Sequence, residues 1–253
     1  MKRAIFLLFV LILGAAGWAA WKFRDRWEGG WSGVIELRQR LRRPDPEGYE
    51  MAKSEAERWR KDLKKRYQAA ATQEERQEVL KEASQFLESI LPDMMACWMG
   101  TPWDFNGTAE GPGDAPIACG YFVATVLRDV GFQVDRYELA REASETMLRT
   151  FVPKQATVRR VGIDYAEFAK EVKGEKPGIR IVGLDTHVGF LIVGNGEFHF
   201  VHSSGSKPWC VVDEPEDRAE VLRRSQYRVH GPITGDPEIA RRWVLGEPFR
   251  GAR

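Results

Sequence analysis

The sequence predicts an α+β fold in which helices come first and a small antiparallel sheet follows. Three observations carry this. Apolar residues recur at helical spacing in the middle of the chain, as in Val79, Leu80, Ala83, Phe86, Leu87, Ile90 and Leu91. Short runs rich in Val, Ile and Phe then crowd between Ile179 and Val229. Between two of those runs stands Gly194-Asn195-Gly196, a strong hairpin-turn signal. With 253 residues, 43% hydrophobic and 30% charged, the chain can bury one main core and still carry an extension. The formal charge of +1 and the absence of a GxxxxGK[ST] loop argue against nucleic-acid binding and nucleotide-driven chemistry.

The elements follow in order. Residues 1–24 read as a signal peptide or signal anchor, because Lys2 and Arg3 precede the uncharged run from Ala4 to Trp21. Trp18, Trp21, Lys22 and Arg24 suit an interfacial anchor, whereas Ala15 and Gly17 suit a cleavage site. Residues 25–71 read as a spacer with a short helix from about Gly33 to Leu41, then a largely solvated helix from Tyr49 to Ala71 striped by Trp59, Leu63 and Tyr67. Thr72 and Glu75 form a capping box that opens a second helix, ending near Pro92. Gly100–Pro116 is too rich in glycine and proline for a regular element and suits a loop that frames a site. Helices are expected at Cys119–Val130, Tyr137–Phe151 and Asp164–Val172, and strands at Ile179–Val182, His187–Val193, Phe198–Ser203, Trp209–Val212 and Tyr227–Val229. A charged helix is expected at Glu216–Arg224. The main domain therefore spans 72–235, and 236–253 is left as a C-terminal tail.

Cys119 opens a helix, where free amide groups and the helix dipole favour a thiolate. A nucleophile needs a base, and the chain has only four histidines, His187, His199, His202 and His230. A two-residue turn at Asn195-Gly196 pairs Gly194 with Glu197, which sets His187 opposite Ser204 and one diagonal step from His202. His199 points to the other face. Cys119 as nucleophile, His187 as base and His202 as the group orienting the base is the arrangement these positions suggest. The residues leave alternatives open: Cys119 as a buried hydrophobe, the histidines as satisfied strand residues, or a metal site of Cys119, His187 and His202, for which no HExxH or CxxC spacing speaks.

The segments "GTPWDFNG", "ACGYFVATVLRDVGF" and "HVGFLIVGNGEFHFVHSS" resemble, in order and wording, the NlpC-type papain-like cysteine peptidases, over about Pro92 to Ser204. The resemblance implies a papain-like NlpC-type domain, a Cys119-His187-His202 site and hydrolysis of amide bonds in peptidoglycan stem peptides, with no cofactor and no metal. Ala118 and Gly120 stand where that family usually has an acidic residue and a serine, and Trp103 stands where many members have a tyrosine. Trp103, Asp104, Tyr121 and Asp185 are the candidate substrate-binding residues.

A wall substrate implies an extracytoplasmic domain, membrane-anchored or secreted, that meets the inner membrane through its N-terminal helix. The basic residues from Lys22 to Arg43 pull the other way under the positive-inside rule. Cys97 and Cys210 could form a disulfide in an oxidising compartment while Cys119 stays reduced. Two other classes fit the same residues: a non-catalytic papain-like module that binds a peptide or protein partner at the membrane, and a thiol acyltransferase.

Overall fold

Helix α1 starts where an aspartate cap and a proline cooperate. Asp45 accepts the Gly48 amide at 2.9 Å, Pro46 fills the first turn, and α1 runs Pro46–Ala69. The computed structural model describes residues 43–250. The signal or anchor segment expected at 1–24 and the short helix expected at 33–41 lie outside the described residues. Among those described, no helix is long and apolar enough to cross a membrane.

α1 is not the solvated helix its charges suggest. Tyr49, Ala56 and Leu63, seven residues apart, are all 0% exposed, and the Tyr49 hydroxyl donates to Asp129 at 3.1 Å. The helix packs on α2 (Gln73–Ala96), which opens with the expected capping box: Glu75 N–H donates to Thr72 Oγ1 at 3.2 Å and Thr72 N–H to Glu75 Oε2 at 3.3 Å. α2 continues through Pro92, which removes one helical donor, because Met94, Met95 and Ala96 are buried beyond it.

Next come α3 (Cys119–Asp129), α4 (Arg136–Ala140) and α5 (Ser144–Arg149). The single helix expected over Tyr137–Phe151 is thus two short ones. Ala143 adopts an extended backbone (φ −57°, ψ 145°), and Ser144 Oγ donates to Leu184 O at 3.1 Å, so the break is tied to the sheet.

The remaining elements are β1 (Val158–Val161), α6 (Tyr165–Lys173), β2 (Gly178–Leu184), β3 (Val188–Gly194), β4 (Glu197–Ser203), β5 (Val211–Pro215), a 3₁₀ turn at Glu216–Arg218, α7 (Glu220–Arg224), β6 (Tyr227–Pro232) and α8 (Pro237–Leu245). The six strands form one antiparallel sheet in the order β1-β6-β2-β3-β4-β5. β1 escapes a hydrophobicity reading because it is an edge strand carrying Arg159 and Arg160, which pair with Glu145 and Glu171, and charged side chains are a usual protection for edges. Helices cover both faces. Ile179, Ile181, Phe190 and Val201 join the core made with α1, α2, α3, α5 and α8, while Val182, Leu191, Phe198 and Phe200 pack with Phe168 of α6 and Leu222 of α7.

The segment expected as a tail is part of that core. Asp236 caps α8 by accepting the amides of Glu238 and Ile239, Pro237 opens it, and Gly246 ends it in the left-handed region at φ 71°. Trp243 is 0% exposed and its indole N–H donates to Val130 O at 3.0 Å; Phe249 closes an aromatic group with Phe132 and Phe151. Residues 236–250 therefore belong to the same compact unit as α1 and the sheet.

Trp243→Ala should lower stability by about 3–5 kcal/mol, the usual range for removing a buried large aromatic, as measured by urea unfolding followed by circular dichroism. A loss under about 1 kcal/mol would make the segment peripheral to the fold.

Candidate functional site

Cys119 owes its position to a backbone clamp on the two residues before it. Ile117 N–H donates to Pro102 O and Ala118 N–H to Gly107 O, both at 2.9 Å, while Ser203 Oγ at the end of β4 donates to Ile117 O at 2.7 Å. Gly107 permits this approach, since a Cβ there would stand 2.6 Å from the Pro116 carbonyl carbon. The loop itself is held by Arg136, a buried cation that donates to Thr108 O, Ala109 O and Thr125 Oγ1 and pairs with Glu110 at 2.9 Å. The glycine-proline loop therefore acts as a scaffold under the start of α3.

Ala118 has no side chain that can cap α3, so no side-chain oxygen takes the first-turn amides. The Cys119 thiol sits among the amide N–H groups of Val188, Gly120 and Cys119 itself. Val188 follows His187, so the thiol reaches the start of β3, next in sequence to the histidine.

The hairpin forms the predicted register. Gly194 pairs with Glu197, and Asn195 and Gly196 take φ values of 54° and 74°, as a type I′ turn requires. His187 Nε2 then lies 2.7 Å from His202 Nδ1, with the rings perpendicular and their centroids 4.8 Å apart. His202 is completely buried and stacks on Phe200 at 4.1 Å. With Nε2 of His187 engaged, Nδ1 is its remaining ring nitrogen. Beyond His202 the chain of contacts continues: Glu214 Oε2 on β5 lies 3.1 Å from His202 Nε2. The sequence predicts a strand at Trp209–Val212, whereas β5 runs Val211–Pro215 and includes Glu214; "VVDEP" carries no apolar–polar alternation that would mark it as a strand.

Cys119 and His187 line one cleft of about 580 Å³, together with Gly120, Val188, Asp185, Thr186 and the segment from Ala140 to Glu145. The break between α4 and α5 thus makes one wall. A Cβ on Gly120 would stand 2.3 Å from Ala140 O, so this wall approaches the helix too closely for the serine usual in the resembled family.

Of the four candidate substrate residues, only Asp185 lines the cleft. Its carboxylate accepts from Ser225 Oγ at 2.6 Å and from the Gln226 amide at 2.8 Å, bonds that hold it below the usual carboxylate range. Trp103 packs on Trp209 and against Gly205. Asp104 turns its own loop by accepting the Asn106 amide at 2.8 Å. Tyr121 lies under the Arg136 guanidinium, 4.8 Å from ring to cation, and edge-on to Tyr137. These three support the scaffold and are outside the cleft lining.

His199 is on the opposite face, with Nδ1 2.7 Å from Asp213, and His230 accepts from buried Arg180 at 3.0 Å. Cys97 and Cys210 are buried, and none of the three cysteines is in a disulfide. Among the described residues, no group of three or more His, Cys, Asp or Glu side chains is arranged to hold a metal ion.

Burial governs the charges. It pushes the Cys119 thiol above its ordinary value, although the surrounding amides pull the other way. Burial also pushes His187 well below its ordinary value, and His202 to about 3. At neutral pH the pair therefore rests as neutral thiol and neutral imidazole, not as the thiolate that a helix start alone would favour. Such an arrangement can move a proton from sulfur to His187 at the moment of attack.

In comparison with known proteins, the chain matches no protein-family model, no curated protein and no solved structure.

Because burial outweighs the amides, ultraviolet thiolate absorbance, taken as the difference between the native chain and Cys119→Ala, should rise with a midpoint above the ordinary thiol value of about 8.5. A midpoint below about 7 would mean that a thiolate–imidazolium pair forms in the resting protein.

Proposed function

We propose that the chain is a thiol hydrolase of papain-like, NlpC type that opens an amide bond through an acyl-enzyme. The observation that carries this reading is the shared cleft of Cys119 and His187, with His187 Nε2 already bound to His202. In the forward step His187 Nδ1 takes the thiol proton as Cys119 Sγ adds to the carbonyl carbon. In this reading the first-turn amides of α3 stabilise negative charge on the carbonyl oxygen. The C–N bond then breaks, and His187 returns the proton to the departing amine. His187 next deprotonates a water, which attacks the thioester and releases the acid and the thiol.

The substrate class we propose is a peptide of the cell-wall stem, which follows the hairpin and cysteine wording of the sequence. The location that goes with it is extracytoplasmic, with the apolar run at 1–24 as exported signal or anchor. A reporter active only outside the cytoplasm, fused after Arg253, should then give signal while a cytoplasm-only reporter stays silent; the reverse pattern would remove peptidoglycan as substrate.

One observation favours a second reading. A thiol whose ionisation is suppressed by burial suits a papain-like module that binds a peptide without cutting it. An electrophilic thiol probe separates the two, since general-base assistance should give labelling of Cys119 that depends on His187. On purified protein of unchanged fold, His187→Ala should lower stem-peptide cleavage by about 10²–10⁴-fold. His202→Ala should cost less, because it orients the base and does not itself take the proton. Cleavage that survives in His187→Ala would remove the mechanism, and equal losses in the two variants would point to a different base.

A further inference from the structure

We infer that Glu214 is a positioning residue that dictates which nitrogen of His187 carries the proton, acting through His202; this rests on the proposal that His187 is the base. The geometry is a three-member chain: His187 Nε2 to His202 Nδ1 at 2.7 Å, and His202 Nε2 to Glu214 Oε2 at 3.1 Å. His202 has no exposed surface, so both of its ring nitrogens are satisfied only within this chain. Register makes the last contact possible, because Glu214 pairs with Phe200 on β4 and so lies diagonal to His202 on the same face.

A neutral imidazole donates from one nitrogen and accepts at the other. An ionised Glu214 only accepts, so His202 must carry its proton on Nε2 and accept at Nδ1. His187 must then carry its proton on Nε2, which leaves Nδ1 with the lone pair that Cys119 requires. Adding one proton to Glu214 allows the opposite set: Glu214 donates to His202 Nε2, His202 donates from Nδ1 to His187 Nε2, and His187 holds its proton on Nδ1. In that state the ring presents a donor toward the cleft and cannot act as a base.

The surroundings put this change within the neutral range. Burial, with the neighbouring Asp213 charge adding to it, pushes Glu214 up to about 7. The charged groups that act on it are Asp213 on its own strand, Arg218 of the 3₁₀ turn, which pulls it down, and Glu220 of α7, which pushes it up. Lys173 of α6, on the same side of the sheet, is taken by Glu216 at 2.7 Å. Asp213 points to the other face and binds His199, so it acts on the relay by its charge alone, on Glu214 and on His202, and is not one of its three members.

The experiment reads the ring nitrogens of His187 and His202 by nitrogen-15 NMR of the full chain, from about pH 5.5 to about 8.5, with iodoacetamide alkylation of Cys119 followed in parallel by mass spectrometry. In the native chain both histidines should exchange the Nδ1-protonated for the Nε2-protonated form as pH rises through about 7, together with a rise in alkylation rate. Glu214→Gln should abolish that exchange and lower the alkylation rate above it by about tenfold or more. Asp213→Asn, which removes a like charge, should move the exchange down by roughly half a pH unit; it keeps the test open if Glu214→Gln does not fold. Histidine tautomers that ignore pH in the native chain, or that are unmoved by both variants, overturn the inference. If the tautomers follow Glu214 but the chain cuts no stem peptide, the relay stands and only the hydrolase reading fails. If cleavage is retained but the tautomers do not follow Glu214, the relay alone fails.

Discussion

The site depends on one turn. Asn195 and Gly196, both in the left-handed region, set Gly194 opposite Glu197 and so fix every pairing between β3 and β4. A slip of one residue would move His202 to the face now occupied by Val201 and part it from both His187 and Glu214. The turn itself is exposed and touches nothing in the cleft. Its influence is transmitted along the strands by backbone hydrogen bonds, and the buried stack of His202 on Phe200 holds the result in place.

A second constraint meets the first at the start of α3. The loop from Gly100 to Pro116 contributes backbone contacts that hold Ile117 and Ala118, and Arg136 locks the loop from the other side. Arg136 is almost fully buried, and its cost of desolvation is offset by two carbonyls, a hydroxyl and Glu110. Removing that guanidinium would leave these acceptors unsatisfied under the nucleophile. The cysteine and the histidine thus come from two separately braced parts of the chain, which touch at the Val188 amide and where Ser203 Oγ donates to Ile117 O.

What the sequence made legible followed from local chemistry. The capping box at Thr72, the hairpin at Asn195 and the amphipathic helix after Cys119 each rest on residues close together in the chain, and the diagonal placement of His187 and His202 follows from the turn between them. What stayed hidden depended on tertiary packing. α1 looked solvated because its buried positions, Tyr49, Ala56 and Leu63, are spaced by two turns among many charges. The segment after Gly235 reads as a tail although Asp236, Pro237, Trp243 and Gly246 spell a capped helix; only its docking on α1 and α2 makes it core. Glu214 required the β4–β5 register, and the roles assigned to Trp103, Asp104 and Tyr121 required knowing that the loop braces α3 from outside the cleft. The raised thiol could not be foreseen either, because it is set by burial and the helix start alone argues for the opposite sign.

The contact between Gly120 and Ala140 O has a consequence for how such a cleft can vary. Its 2.3 Å clearance for a Cβ ties the residue after the cysteine to the path of the chain between α4 and α5. A side chain at position 120 is sterically admissible only with a different route for 140–143, and that route is also the wall beside the thiol. Access to the sulfur and the identity of its neighbour are therefore coupled: a larger residue at 120 and a rerouted 140–143 segment must come together.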